Sequence, residues 1–256
     1  FLDEEEAPPE KRAAGLELAA SIYSRSRDWQ KAEEAIGRAA ALYRRSNQAR
    51  QEAGALLQAG RIAVDAGEYR RALAVIDSSL ALAAHAETDS LLQANGYQLK
   101  GLALERISRY QEAISFQHRG VALFKELGKP LQQAQGDQYL ANLFWKQGEY
   151  NTALNHQFRA REVFEESGDA KLLSMSAATA GLIHMGLGNT ERAYEEMQQA
   201  LRLARHGGFR YNEATILKNI GLIAVQEQDF PRARQVFAEA VAIDTALGYT
   251  RGLAYD

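Results

Sequence analysis

The sequence predicts an all-α fold, a solenoid of antiparallel helix pairs with six repeats plus the start of a seventh. Three observations carry that expectation. One layout, clearest in the stretch from Tyr139 to Leu154, recurs about every forty residues: an apolar helix end, a Gly-containing turn and a second apolar helix start. Small residues fall in three fixed registers of that period. Ala, Leu, Glu, Gln and Arg, all good helix formers, dominate a chain of 256 residues that holds only 4 Pro.

The frame is set by the small residue that opens each second helix: Ala32, Ala72, Ala113, Ala153, Ala193 and Ala233. Successive spacings, by subtraction, are 40, 41, 40, 40 and 40. Twelve positions earlier stand Ala20, Gly60, Gly101, Ala141, Gly181 and Gly221; seven positions later stand Ala39, Ser79, Gly120, Ala160, Ala200 and Ala240. Where two helices cross closely, a side chain larger than methyl forces them apart, which gives the small registers a physical cause. A bulky residue precedes the anchor by three positions at Trp29, Tyr69, Tyr110, Tyr150 and Phe230, with Thr190 as the exception. It is expected to wedge between helices at the turn.

In chain order, residues 1–9 read as an acidic tail, Phe1 to Pro9, leading into a helix that takes Pro in its first turn. Residues 10–256 read as the repeat domain, with repeats near 10–49, 50–89, 90–129, 130–169, 170–210 and 211–249 and a partial repeat at 250–256. First helices are expected near 10–27, 50–66, 90–107, 130–147, 170–187 and 211–228. Second helices are expected near 29–46, 69–86, 110–127, 150–167, 190–206 and 230–247. Gly128, Gly168, Gly208 and Gly248 close four of the second helices in the left-handed manner, and Pro130 and Pro231 fall at helix starts.

These registers resemble the tetratricopeptide repeat over nearly the whole chain. The first-helix pattern of that family is met approximately, as in Ala19-Ala20-Ser21-Ile22-Tyr23, Leu140-Ala141-Asn142-Leu143-Phe144 and Ile220-Gly221-Leu222-Ile223-Ala224. The usual repeat has 34 residues and ends in Pro. Here Arg44, Ala84, Lys125, Glu165, Arg205 and Thr245 stand at the Pro-equivalent positions, so the second helix is free to run on, which accounts for the long period. The resemblance implies a right-handed superhelix whose first helices line a concave groove. It also implies ligand contacts at positions two, five, six, nine, twelve and thirteen of each first helix.

Carried over residue by residue, those positions include Asn95, Gln98, Leu102 and Arg106 in repeat three. In repeat four they are Gln135, Gln138, Tyr139, Asn142, Trp145 and Lys146. Repeat five contributes Met175, Leu182 and Met185, and repeat six Lys218, Asn219, Leu222 and Val225. The amides suit an extended peptide, because Asn and Gln donate and accept at once. Trp145, with Leu102, Leu182, Met185 and Leu222, is an apolar candidate, since exposed Trp is enriched at binding hot spots. The set of Lys, Asn and Arg that clamps a terminal carboxylate in some family members is not supplied by any consecutive trio of repeats.

Composition narrows the function classes. A mixed, nearly balanced charge with a net of -3 argues against a nucleic-acid binder. With 0 Cys there are no disulfides, thiolate metal sites or thiol catalysis; a cytoplasmic origin is expected, though the absence of Cys is also compatible with a periplasmic one. No apolar run approaches the roughly 18 residues of a membrane span, so membrane insertion is not expected. His85, His118, His156, His184 and His206 form no metal-type pair with His or Glu, and Gly186-Leu187-Gly188 lacks the context of a phosphate loop. No cofactor, metal or enzyme activity is expected.

The expected function is therefore a non-enzymatic scaffold holding a peptide or partner helix in its concave groove. The alternative is a sensor segment of a larger signalling protein, such as a transcription regulator, kinase, cyclase or protease. Self-association through the terminal repeats is a further expectation, because Gly252-Leu253-Ala254-Tyr255 would leave an apolar edge.

Overall fold

The structure is a computed structural model that describes residues 8–85 and 89–248. The acidic tail up to Ala7 and the partial repeat at 250–256 lie outside the described residues. Described residues form six helix pairs and no strand. They are α1 (Pro9–Arg25) with α2 (Trp29–Arg45), α3 (Ala49–Ala66) with α4 (Tyr69–His85), and α5 (Ser90–Arg106) with α6 (Tyr110–Glu126). Then come α7 (Pro130–Lys146) with α8 (Tyr150–Ser167), α9 (Ala170–Gly186) with α10 (Thr190–His206), and α11 (Arg210–Gln226) with α12 (Phe230–Ala246). Every helix end falls within two residues of its expected place.

The chain divides into two compact units, residues 1–129 and 130–256. In the first, α1 to α6 pack consecutively, and α3 also reaches α5. In the second, α7 to α12 do the same, and α9 reaches both α7 and α11. This nearest-neighbour packing follows from amphipathic helices too short to bury their apolar face alone.

The small registers mark where the two helices of a pair cross. A Cβ on Gly60 would come 2.6 Å from the Ile76 side chain, one on Gly181 2.9 Å from Met197, and one on Gly221 2.5 Å from Phe237. Each bulky partner lies four residues past the anchor Ala. The knob is thus supplied by the second helix and the hole by the first. A second repeated contact joins residues twenty-six apart. Ser79 Oγ donates to the Ala53 carbonyl at 2.7 Å, Ser174 Oγ donates to the Ala200 carbonyl at 2.9 Å, and a Cβ on Gly120 would sit 3.2 Å from the Ala94 carbonyl. Phe124, Phe164, Leu140 and Leu143 fill the spaces between, each contributing roughly 1.5–3 kcal/mol by burial.

Turns are equally regular. A left-handed residue ends each first helix: Arg27, Gly67, Ser108, Gly148, Gly188 and Gln228. Second helices close on Asn47, Gly128, Gly168, Gly208 and Gly248 in the same conformation. Gly takes it without strain, whereas Arg27, Ser108 and Gln228 carry a steric cost of roughly 1–2 kcal/mol each, held by the packing around them. Asp28, Asp89, Asp169 and Asp229 accept from backbone N–H groups in the first turn of the helix that follows, as N-caps worth about 1 kcal/mol each.

The missing Pro has a structural replacement. Arg44 Nε donates to Glu52 Oε1 at 2.7 Å and Arg205 Nε to Glu213 Oε1 at 2.9 Å. Both arginines stand at Pro-equivalent positions in the last turn of a second helix, and both glutamates are buried in the first turn of the next. The same position that stops the ordinary repeat here staples one repeat to the next.

Candidate groove on the first helices

In the first unit, α5 presents Asn95 and Arg106 to solvent, with Gln98 and Leu102 half-buried. The Gln98 backbone carbonyl accepts from Gln117 Nε2 at 3.1 Å, which ties α5 to α6.

In the second unit, α7 carries Gln135, Gln138 and Asn142 at helical spacing. Gln135, Tyr139 and Asn142 are half-buried and Lys146 is exposed. Gln138 is only 6% exposed, and neither its Oε1 nor its Nε2 has a hydrogen-bond partner among the described residues. Leaving a buried amide unpaired costs roughly 1–3 kcal/mol for each group. Asn142 Oδ1 accepts from Thr179 Oγ1 at 3.3 Å, a contact between α7 and α9.

Trp145 is placed differently from an exposed hot spot. Its ring is half-buried against the cluster of Ala141, Ala153 and Ile183, and its Nε1 donates to the Leu182 carbonyl at 2.9 Å. It wedges α7 against α9. The flanking apolar candidates divide: Met185 and Leu182 are half-buried against the α10–α11 core, whereas Met175, Leu222 and Val225 are exposed. Asn219 is half-buried. Lys218 Nζ sits 2.6 Å from Asp244 Oδ2 of α12, so its charge is met within its own repeat.

One buried polar group escaped the sequence reading. Asp137 Oδ1 lies 2.7 Å from His156 Nδ1 and accepts from Arg159 Nη2 at 3.1 Å, with the Phe144 ring stacked on the imidazole at 5.3 Å. The two buried residues are nineteen apart in sequence, on α7 and α8. No metal-type or His–Glu spacing signals that pairing, but the anchor frame places both on the facing sides of one helix pair. His184, on α9, has its pKa pushed below the usual 6.5 by burial, with the Glu196 charge opposing and Arg192 adding to the shift. Among the described residues no group of three or more potential ligands converges on a metal-sized site, and no helix is long and apolar enough to cross a membrane.

Residues 173–246 match the family model described as Tetratricopeptide repeat. No protein of curated function matches the sequence. Among solved structures, the apo form of RapI superposes with a TM-score of 0.79 at 15% identity, covering 95% of this chain and 87% of that one. Aspartyl phosphate phosphatase F from Bacillus subtilis gives 0.76 at 15% identity, with 93% of this chain spanning 61% of that one. NprR in complex with its cognate peptide NprX gives 0.72 at 15% identity, covering 93% and 68%. The period, the small registers and the helix-pair packing carry the arrangement of the tetratricopeptide-repeat match at residues 173–246 through the other described repeats, and the solved structures share that fold.

Proposed function

We propose that this chain is a non-enzymatic protein-interaction scaffold that holds an extended peptide or a partner segment along its first helices. The observation that carries the reading is the row of amides Gln135, Gln138 and Asn142 at helical spacing on α7, in which Gln135 and Asn142 are half-open on either side of the buried Gln138. An extended backbone offers one N–H and one C=O per residue, which matches the donor and acceptor of each side-chain amide. Gln135 and Asn142 stand at either end of that row, and Met175 offers apolar contact one repeat on. NprR, similar in fold, is held in complex with a peptide, which supports the same ligand class here. A partner within the same polypeptide, as in a regulatory segment, would use the same face. This chain spans 61% and 68% of two of the similar structures, which supports a regulatory segment within a longer polypeptide.

The test is selection of binders from a displayed library of random decapeptides, followed by titration against the wild-type chain and against Gln138→Leu and Asn142→Ala. Saturable binding that drops at least tenfold, about 1.4 kcal/mol, in both variants is expected. Binders that are indifferent to both substitutions would move the site away from α7.

A further inference from the structure

We infer, on the scaffold reading above, that Thr179 is a positioning residue: it turns the Asn142 amide to read a backbone carbonyl of the bound segment. Two hydrogen bonds tie α7 to α9 one helical turn apart. Asn142 Oδ1 accepts from Thr179 Oγ1 at 3.3 Å, and Trp145 Nε1 donates to the Leu182 carbonyl at 2.9 Å. Asn142 and Trp145 are three residues apart on α7, and Thr179 and Leu182 are three apart on α9, so both ties join the same two helix faces. The Trp145 ring packs on Ala141, Ala153 and Ile183 while its N–H reaches α9, which holds the two helices at the spacing the first tie needs. Thr179 is 6% exposed, and a hydroxyl so far from water keeps its acceptor, because losing it leaves a buried group unmet.

The planar amide fixes the rest. With Oδ1 drawn towards the buried hydroxyl of α9, Nδ2 is turned the other way. Nδ2 has no acceptor among the described residues and is not sealed from solvent. Asn142 itself is half-buried. Of the donor and the acceptor that a free amide offers, the one turned to a bound segment is the donor. Its complement on an extended chain is a carbonyl oxygen.

The first unit holds the same device with the atoms exchanged. Ser21 stands eleven positions before its anchor, as Asn142 does, and Gln58 stands fourteen before the next, as Thr179 does. Here the amide comes from the later helix. Gln58 Nε2 donates to Ser21 Oγ at 3.0 Å and to the Glu17 carbonyl at 3.3 Å. Both N–H groups are spent, and the half-buried amide keeps its acceptor, Oε1, open to solvent. Which atom the neighbouring helix takes decides the polarity that the amide reads.

The experiment titrates a decapeptide selected on the wild-type chain against Asn142→Ala, Thr179→Val and Thr179→Ser, with urea midpoints to check that all three stay folded. Val keeps the shape of Thr179 and loses the hydroxyl, whereas Ser keeps the hydroxyl. Affinity is expected to fall about fivefold in Thr179→Val, within the worth of one neutral hydrogen bond, and to be restored in Thr179→Ser. The peptide is then scanned with single thioamides, which are weaker acceptors, and with single N-methyl groups, which remove the N–H. One thioamide is expected to cost wild type about fivefold and Asn142→Ala nothing, while every N-methyl group costs the two proteins the same. An N-methyl cost that vanishes in Asn142→Ala overturns the inference, since the amide then accepts. So does a scan in which no thioamide couples to Asn142, a Thr179→Val that binds as tightly as wild type, or a Thr179→Ser that binds no better than Thr179→Val. A peptide indifferent to Asn142→Ala, or no selected peptide at all, is instead a failure of the scaffold reading on α7, and the role of Thr179 falls with it.

Discussion

His184 shows what a single side chain does in this frame. Nine positions before the anchor, other repeats carry Tyr23, Leu104 and Phe144; repeat five carries an imidazole whose Nδ1 is buried without a partner. Burial lowers its pKa in the folded chain, so below the usual 6.5 the unfolded chain binds the proton that the folded chain resists. The unfolded state binds more protons in that window, and stability therefore rises with pH through it and is lost as pH falls. His184→Phe restores the residue type of repeat four. We expect the variant to lose less stability than wild type between about pH 7.5 and about pH 5.5, measured as thermal midpoints in matched buffers. Identical slopes for the two proteins would show that the imidazole is solvated in solution. The residue is legible in the sequence as a polar intruder at an apolar position, but its unmet nitrogen is a property of packing. The same limit applies to Trp145: the family resemblance puts it among the ligand-facing positions, and only the Leu182 carbonyl beneath it reveals that its N–H is spent on the next repeat. The Asp137–His156 pair was hidden because its members sit in different helices and match no ligand spacing.

Helix placement was legible because two independent signals agree. The small registers fix where helices cross, and the repeat fixes where turns must fall. Three left-handed residues, Arg27, Ser108 and Gln228, are visible only through that agreement, since nothing in their chemistry asks for the conformation, whereas Asn47 is of a type that adopts it readily. The staples between repeats were not legible. An Arg and a Glu eight residues apart across a turn match no helical rule, and their pairing depends on the angle between α2 and α3 or between α10 and α11. Glu213 is buried and held from both sides, by Arg205 and by Arg210 at 2.6 Å. Its charge is therefore shielded from water in a way that the exposed Arg109–Glu112 pair of α6 is not. A double-mutant cycle with Arg205→Met and Glu213→Gln should give a coupling energy of about 1–2 kcal/mol in urea denaturation. The same cycle on Arg109 and Glu112, both fully exposed to solvent screening, should give a clearly smaller coupling. Equal couplings would mean that the buried carboxylate is compensated by Arg210 alone.

At the scale of the molecule, the consequence of nearest-neighbour packing is divisible stability. The clusters around Ile36 and Ile76 draw only on residues of the first unit, and those around Phe164, Ile183 and Ile220 only on residues of the second. A compact domain cut in half loses its core, whereas a repeat array loses one interface and keeps the rest. Residues 130–256 expressed alone are therefore expected to fold as a cooperative helical unit. Its urea dependence should be roughly half as steep as that of the intact chain unfolding in one step, because the slope scales with the surface exposed. The Pro at the first position of α7 favours this outcome, since it is already suited to begin a helix without a preceding one. A fragment with little helical signal, or a gradual rather than cooperative loss of it, would show that α7 and α8 depend on the first unit for their fold. Full helicity with a sharp transition would establish that three pairs suffice, and would supply a minimal chain on which Gln138 and Asn142 can be tested apart from the first unit.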